Sequence, residues 1–181
     1  MNNINIEHYE LLLKYKSKTL KDAKTKLFIK AKNDIYILKV DNGIIPWNKG
    51  IKKCDYLTCS ENTKLKEVNF IELKGKNIDK AYKQIISSIE YIENDNKLSF
   101  IIDDVKKCMA YIVSKEKNKI PEGIESKEKE LAKKLYSKTT KCKPKNILDL
   151  IKYVCVFDSN SCKSSYNGRK IICNEKSPLL L

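Results

Sequence analysis

Two acids and a lysine in the first half of the chain have the types and spacing that phosphoryl chemistry needs. Asp55 interrupts "KKCDYLTC" (52–59), whose following residues Tyr56, Leu57 and Cys59 suit a buried strand. Glu72 and Lys74 close a second strand-like run, "EVNFIELKG" (67–75). Side chains alternate along a strand, so Phe70, Glu72 and Lys74 share one face while Ile71 and Leu73 share the other. A hairpin closing symmetrically about Thr63 and Lys64 sets Asp55 directly across from Glu72, with Cβ atoms about 5 Å apart. Two carboxylates at that separation repel unless a cation lies between them, and hard oxygen donors suit Mg²⁺, or Mn²⁺ in its place. A lysine beside such a cation would position a water and offset charge building on a phosphoryl group. The competing interpretation is a salt bridge on a sheet surface, which needs one acid and one lysine but leaves the second acid unexplained.

The tripeptide alone discriminates poorly. Roughly four or five acid-x-Lys matches are expected by chance in so lysine-rich a chain, and "DAK", "DNK", "DVK" and "ESK" occur beside "ELK". Context distinguishes Glu72-Leu73-Lys74: it ends an apolar strand, precedes Gly75 and a helical pattern, and follows an acid-bearing strand.

In these residues, "KKCDYL" followed by "FIELKGKNIDKAYKQI", the chain resembles small bacterial members of the PD-(D/E)xK (restriction-endonuclease-like) nuclease superfamily. The resemblance covers about residues 39–90, and Cys54 stands where the signature has proline. It implies a mixed central sheet flanked by helices, and a Mg²⁺- or Mn²⁺-dependent nuclease that hydrolyses DNA to 3′-hydroxyl and 5′-phosphate ends. It further implies that Asp55 and Glu72 hold the metal, Lys74 orients the attacking water, and Gln84 supports the site from the following helix. Family members often add an acid from a first helix, for which Glu10 or Glu7 is placed. A nucleic-acid-binding protein on the same fold that cuts nothing is the alternative implied.

The elements that would position these residues follow from periodicity. Residues 7–18 mix apolar and charged positions as a short helix does, and "LFIKAKNDIYILKVDNG" (27–43) suggests two strands paired through Asn33-Asp34, with an Asn42-Gly43 turn beyond. After the two strands already described, Ile78, Ala81, Tyr82, Ile85, Ile86, Ile89 and Ile92 repeat as one face of an amphipathic helix, with Asn77 as its N-cap. "LSFII" (98–102) and "MAYIVS" (109–114) suggest strands, "KEKELAKKLYSKT" (127–139) a helix, and Asn167-Gly168 a final hairpin turn. With no repeat and no low-complexity linker, residues 1–181 are expected to form one domain of α/β class, bordering on α+β, with a mixed central sheet.

Composition bounds the partners. The formal charge is +14, and all but Arg169 of the 37 basic side chains are lysine, a bias that also reflects A/T-rich coding. Residues 114–145 carry eleven lysines against five acids, whereas 85–113 carry three against five. That contrast nominates Lys133, Lys134 and Lys138 for phosphate contacts, against the alternative of a solvated helix face. Seven cysteines, odd in number and set in apolar runs, fit buried reduced thiols and a cytoplasmic setting. No signal-like start or membrane-length apolar run occurs. The single histidine, His8, argues against histidine-based nucleases, Ser-His-Asp hydrolases and Cys-His proteases. Cysteines 155, 162 and 173 lack zinc-type pairing, and five glycines make no phosphate loop. The sequence leaves open the oligomeric state, a homodimer included.

Overall fold

The computed structural model describes residues 9–22, 25–47, 50–60, 66–74, 78–115, 123–157 and 165–181. Its strands are β1 (Tyr9–Leu12), β2 (Ser17–Asp22), β3 (Thr25–Lys30), β4 (Ile35–Lys39), β5 (Tyr56–Ser60), β6 (Glu67–Lys74), β7 (Lys107–Lys115), β8 (Ile151–Val156), β9 (Ser165–Asn167), β10 (Lys170–Cys173) and β11 (Leu179–Leu180). Helix α1 (Ile78–Asn94) follows β6, and α2 (Glu125–Lys138) follows β7.

Eight strands form a mixed sheet in the order β1-β4-β5-β6-β7-β8-β10-β9. Antiparallel pairing runs from β1 to β6, parallel pairing from β6 through β7 and β8 to β10, and β9 is antiparallel to β10. The central strands β6 and β7 are buried along nearly their whole length, as strands covered on both faces must be. Helices cover the face bearing Phe70, Glu72, Ile112 and Tyr153, which are in register across the sheet apart from Phe70 one pair lower. The opposite face meets β3, which belongs to a second sheet ordered β11-β3-β2. The architecture is therefore an α/β-type mixed sheet with two helices on one side and a three-stranded sheet on the other. The mixed central sheet and its flanking helices are as expected; the three-stranded sheet is a further layer. One continuous apolar core joins these layers.

Residues 9–18 are not helical: β1 pairs with β4 at the sheet edge, the chain turns at Lys14 and Tyr15, and β2 begins at Ser17. Nor do β3 and β4 form a hairpin. The chain turns through Asn33 and Asp34, but β3 pairs with β2 and β11 while β4 pairs with β1 and β5. The Asp34 carboxylate accepts the Lys14 N–H at 2.5 Å, fastening the two connections together. "LSFII" forms a 3-10 turn at Ser99–Ile101 in place of a strand.

Helix α1 buries Ile78, Ala81, Tyr82, Ile85, Ile86, Ile89 and Ile92, the periodic set, together with Ser88. The turn after β4 has Asn42 at φ 57°. Gly43 is obligatory there, since a Cβ would sit 2.0 Å from the Lys39 carbonyl oxygen. The expected hairpin forms, but one residue later than the Asn167-Gly168 pair: Asn167 pairs with Lys170 at the end of β9, and Gly168, at φ +57°, and Arg169 make the turn. Residues 61–65, which contain the expected hairpin centre at Thr63 and Lys64, the N-cap at Asn77, and Cys162 lie outside the described residues. The six described cysteines are all free thiols. No helix among the described residues is long and apolar enough to cross a membrane.

Candidate active site

The β5–β6 hairpin has the register that alternation and symmetry require: Tyr56 opposes Ile71, Leu57 opposes Phe70 and Cys59 opposes Val68. One step beyond Tyr56, Asp55 falls opposite Glu72. The Leu73 N–H donates to Asp55 Oδ2 at 2.6 Å, so the Asp55 carboxylate is held against the Glu72-Leu73 backbone. Lys74 Nζ lies in ion-pair contact with Glu72 Oε1. Asp55, Glu72 and Lys74 are thus brought together where β6 ends and α1 begins.

The position of Asp55 depends on α1. Ser88, a polar residue inside the apolar stripe, uses its Oγ to accept the Cys54 N–H at 2.8 Å and to donate to the Gln84 carbonyl at 2.8 Å. Gln84 Nε2 donates to the Lys53 carbonyl at 2.7 Å. Residues 53 and 54 are therefore pinned to the helix before the chain bends at Asp55 into β5. Gln84 is a support of the Asp55 segment and makes no contact with the carboxylates themselves. Cys54, at the signature's proline position, is wholly buried, and burial raises its thiol well above the ordinary range.

Burial dominates the electrostatics. The Glu72 side chain has no exposed surface; the Lys74 ammonium meets its Oε1, and the Asp55 backbone also favours its ionised form. Desolvation, followed by the Asp55 charge, lifts the Glu72 carboxyl to about 8 against the opposing pull of Lys74. Desolvation also lifts Asp55 to about 6, although the Leu73 hydrogen bond favours its ionised form. Both carboxyls hold protons more tightly than exposed acids do, chiefly because burial disfavours their charged forms.

Asp22, at the end of β2, and Asp41, after β4, also raise the Asp55 carboxyl. Neither was predicted: Asp22 reaches this end of the molecule only because β2 and β3 form a second sheet. The Tyr56 hydroxyl, donating to the Lys21 carbonyl at 2.8 Å, ties that sheet to β5. Ser88 carries a signal in sequence, a hydroxyl at a core position of a periodic helix. Lys53, also unforeseen, is a buried lysine that donates to the Pro46 carbonyl at 2.8 Å and lies 3.4 Å from Asp41. Glu10, on β1 and not on a helix, is instead bound to Lys18 at 2.6 Å, and Glu7 lies outside the described residues.

The lysines nominated for phosphate contact fall on α2. Lys133 is exposed. Lys134 pairs with Glu93 at 2.9 Å and Glu90 at 3.8 Å, and Lys138 pairs with Glu93. The acid-rich and lysine-rich segments are neighbours in space, so α1 neutralises much of the charge that looks unpaired in sequence.

The oxygen donors of Asp55 and Glu72 suit a hard divalent cation, and the buried Glu72 Oε2, which has no ion-pair partner among the described residues, fits one. Among the described residues no three His, Cys, Asp or Glu side chains converge into a larger metal cluster. The chain defines an α/β-type mixed-sheet protein in which a buried carboxylate, Glu72, lies beside a half-buried one, Asp55, and a partly exposed lysine, Lys74. Compared with known proteins, it matches no protein-family model, no curated protein and no solved structure. The likeness to the PD-(D/E)xK superfamily therefore rests on Asp55, Glu72, Lys74 and their context.

Proposed function

We propose that this protein is a metal-dependent phosphodiesterase acting on nucleic acid, with DNA the substrate that the resemblance implies. The observation that carries the reading is the convergence of Asp55 and Glu72 across the β5–β6 hairpin with Lys74 against Glu72. Asp55 and Glu72 would hold Mg²⁺ or Mn²⁺; the cation, when bound, polarises a phosphoryl oxygen and makes a water more acidic. Glu72 supplies a carboxylate kept out of bulk water, where its charge acts at full strength. Asp55 is oriented by the Leu73 N–H, and through Cys54 and Lys53 by Ser88 and Gln84. Lys74 supplies an ammonium that steadies the attacking water and offsets negative charge on the phosphoryl oxygens as the bond to the leaving oxygen breaks.

A second reading, a nucleic-acid-binding protein on the same fold that cuts nothing, is supported by the complete burial of the Glu72 side chain. Incubation with labelled duplex, single-stranded and branched DNA and with RNA, in Mg²⁺, in Mn²⁺ and in chelator, separates the two. The phosphodiesterase reading expects cleavage with cation, none in chelator, and none by Asp55→Asn. Binding without cleavage of any substrate, or cleavage that Asp55→Asn retains, refutes it.

A further inference from the structure

Trp47 is the only tryptophan in the chain and is 77% exposed, whereas the bulky core rings Tyr82 and Phe70 are fully buried. An indole left in water forgoes the burial of a large apolar surface. The other strongly exposed ring, Tyr15, carries the Lys14 ammonium 4.9 Å from its centroid. No such partner lies over Trp47 among the described residues.

The loop that presents Trp47 is rooted in the carboxylate site at two points. It leaves β4 at the end of the sheet where β6 finishes, because Lys39 opposes Tyr56 and Tyr56 opposes Ile71. At its start the Val40 N–H donates to the Asp55 carbonyl at 2.9 Å. At its far side the Pro46 carbonyl, immediately before Trp47, accepts the buried Lys53 ammonium at 2.8 Å. The same Lys53 carbonyl is held by Gln84. The turn between is closed by the Ile45 N–H donating to the Val40 carbonyl at 3.1 Å and by the steric demand for Gly43. The indole is thus carried on a braced loop whose two ends are hydrogen-bonded to Asp55 and Lys53, in the segment that bears the Asp55 carboxylate.

We propose that Trp47 is a stacking platform for an unpaired nucleobase of the substrate, which makes single-stranded nucleic acid the preferred substrate class. This rests on the phosphodiesterase reading and extends it. Every base has a π-face, so stacking tolerates any sequence. Inside a duplex those faces are covered by neighbouring pairs, so away from the duplex ends only an unpaired base can lie on the indole. The base held by Trp47 would fix the register of the backbone while the adjacent phosphodiester lies at Asp55, Glu72 and Lys74.

With chelator present to prevent cleavage, the indole fluorescence of the full chain should be quenched by a short oligothymidylate and not by a duplex of equal length. Because the chain has one tryptophan, the signal reports Trp47 alone. In parallel, anisotropy of the labelled strands should show that Trp47→Ala weakens single-strand binding by about 5- to 150-fold, the equivalent of one base–aromatic stack. Duplex binding should be unchanged, and Trp47→Phe should retain most single-strand affinity. Trp47 is exposed, so neither substitution disturbs the core. Single-strand binding with a silent indole, or equal affinity of Trp47→Ala and wild type, overturns the stacking role and leaves the phosphodiesterase reading standing. Absence of binding to any nucleic acid overturns both.

Discussion

Replacing Glu72 by glutamine should remove a steep pH dependence from the stability of the metal-free protein. A carboxyl ordinarily titrating at 4.5 is lifted to about 8 in the fold, first by burial and then by the Asp55 charge. Between those values the folded chain keeps a proton that the unfolded chain has lost. Stability conferred on the protonated form is therefore complete below about pH 4.5 and falls as pH rises towards 8. At about 1.4 kcal/mol per pH unit, the window corresponds to about 5 kcal/mol. Asp55, lifted from 3.8 to about 6, acts with the same sign over a lower window worth about 3 kcal/mol. The two are not additive, because the Asp55 charge is itself a cause of the Glu72 shift. Even the Glu72 effect alone rivals the lower end of the 5–15 kcal/mol that typically holds a domain folded. Glu72→Gln leaves Lys74 without its ion-pair partner, which offsets part of the gain, although Lys74 still faces Asp55. Urea unfolding in chelator from about pH 5 to pH 8 measures the outcome by linear extrapolation. Wild-type stability should fall by several kcal/mol over that range, and the variant should lose much less and be at least as stable near pH 8. Saturating Mg²⁺ near pH 8 should stabilise wild type and not the variant. A wild-type profile that is flat or rising, or an equal fall in both proteins, would refute the reasoning.

Lys74→Ala should bind cation and nucleic acid as wild type does but cleave about two to three orders of magnitude more slowly, the size expected for one lost transition-state donor. Lys74→Arg should rescue cleavage poorly, since a planar guanidinium places its donors differently from an ammonium; single-turnover rates beside binding isotherms check both. Neutralising Lys134 and Lys138, whose charges are already met by Glu90 and Glu93, should change the salt dependence of nucleic-acid binding less than neutralising exposed Lys133. The slopes of log affinity against log salt decide this, and an equal loss for all three lysines would restore α2 as the phosphate-contacting face.

Much of the candidate site was legible in the chain because its geometry is local. Alternation sets Glu72 and Lys74 on one face, and the register of a short hairpin sets Asp55 across from Glu72. The burial of α1 was equally legible, since a 3.6-residue repeat of isoleucine, alanine and tyrosine specifies one face without reference to its partner. A hairpin around Gly168 needs nothing beyond the glycine's own backbone preference, although the turn falls at Gly168 and Arg169.

What escaped sequence depends on which strands meet. Leu11, Leu12 and Leu13 fit helix or strand equally well, and pairing of β1 with β4 decides for strand. Likewise, β3 and β4 look like partners because they are adjacent, yet each has better partners elsewhere and they separate into two sheets. That separation brings Asp22 to bear on Asp55, a proximity no spacing rule contains. The charge of α2 follows the same logic: lysines counted along the chain suggest a basic surface, but helix packing sets Glu90 and Glu93 against Lys134 and Lys138. Sequence by itself determined the acids, the lysine, their hairpin and the helix behind them, because short-range sterics and periodicity act before the chain is compact. Only the tertiary structure decided how deeply Glu72 is buried, which acids surround Asp55 and which lysines stay unpaired, because desolvation and Coulomb forces depend on distances through space.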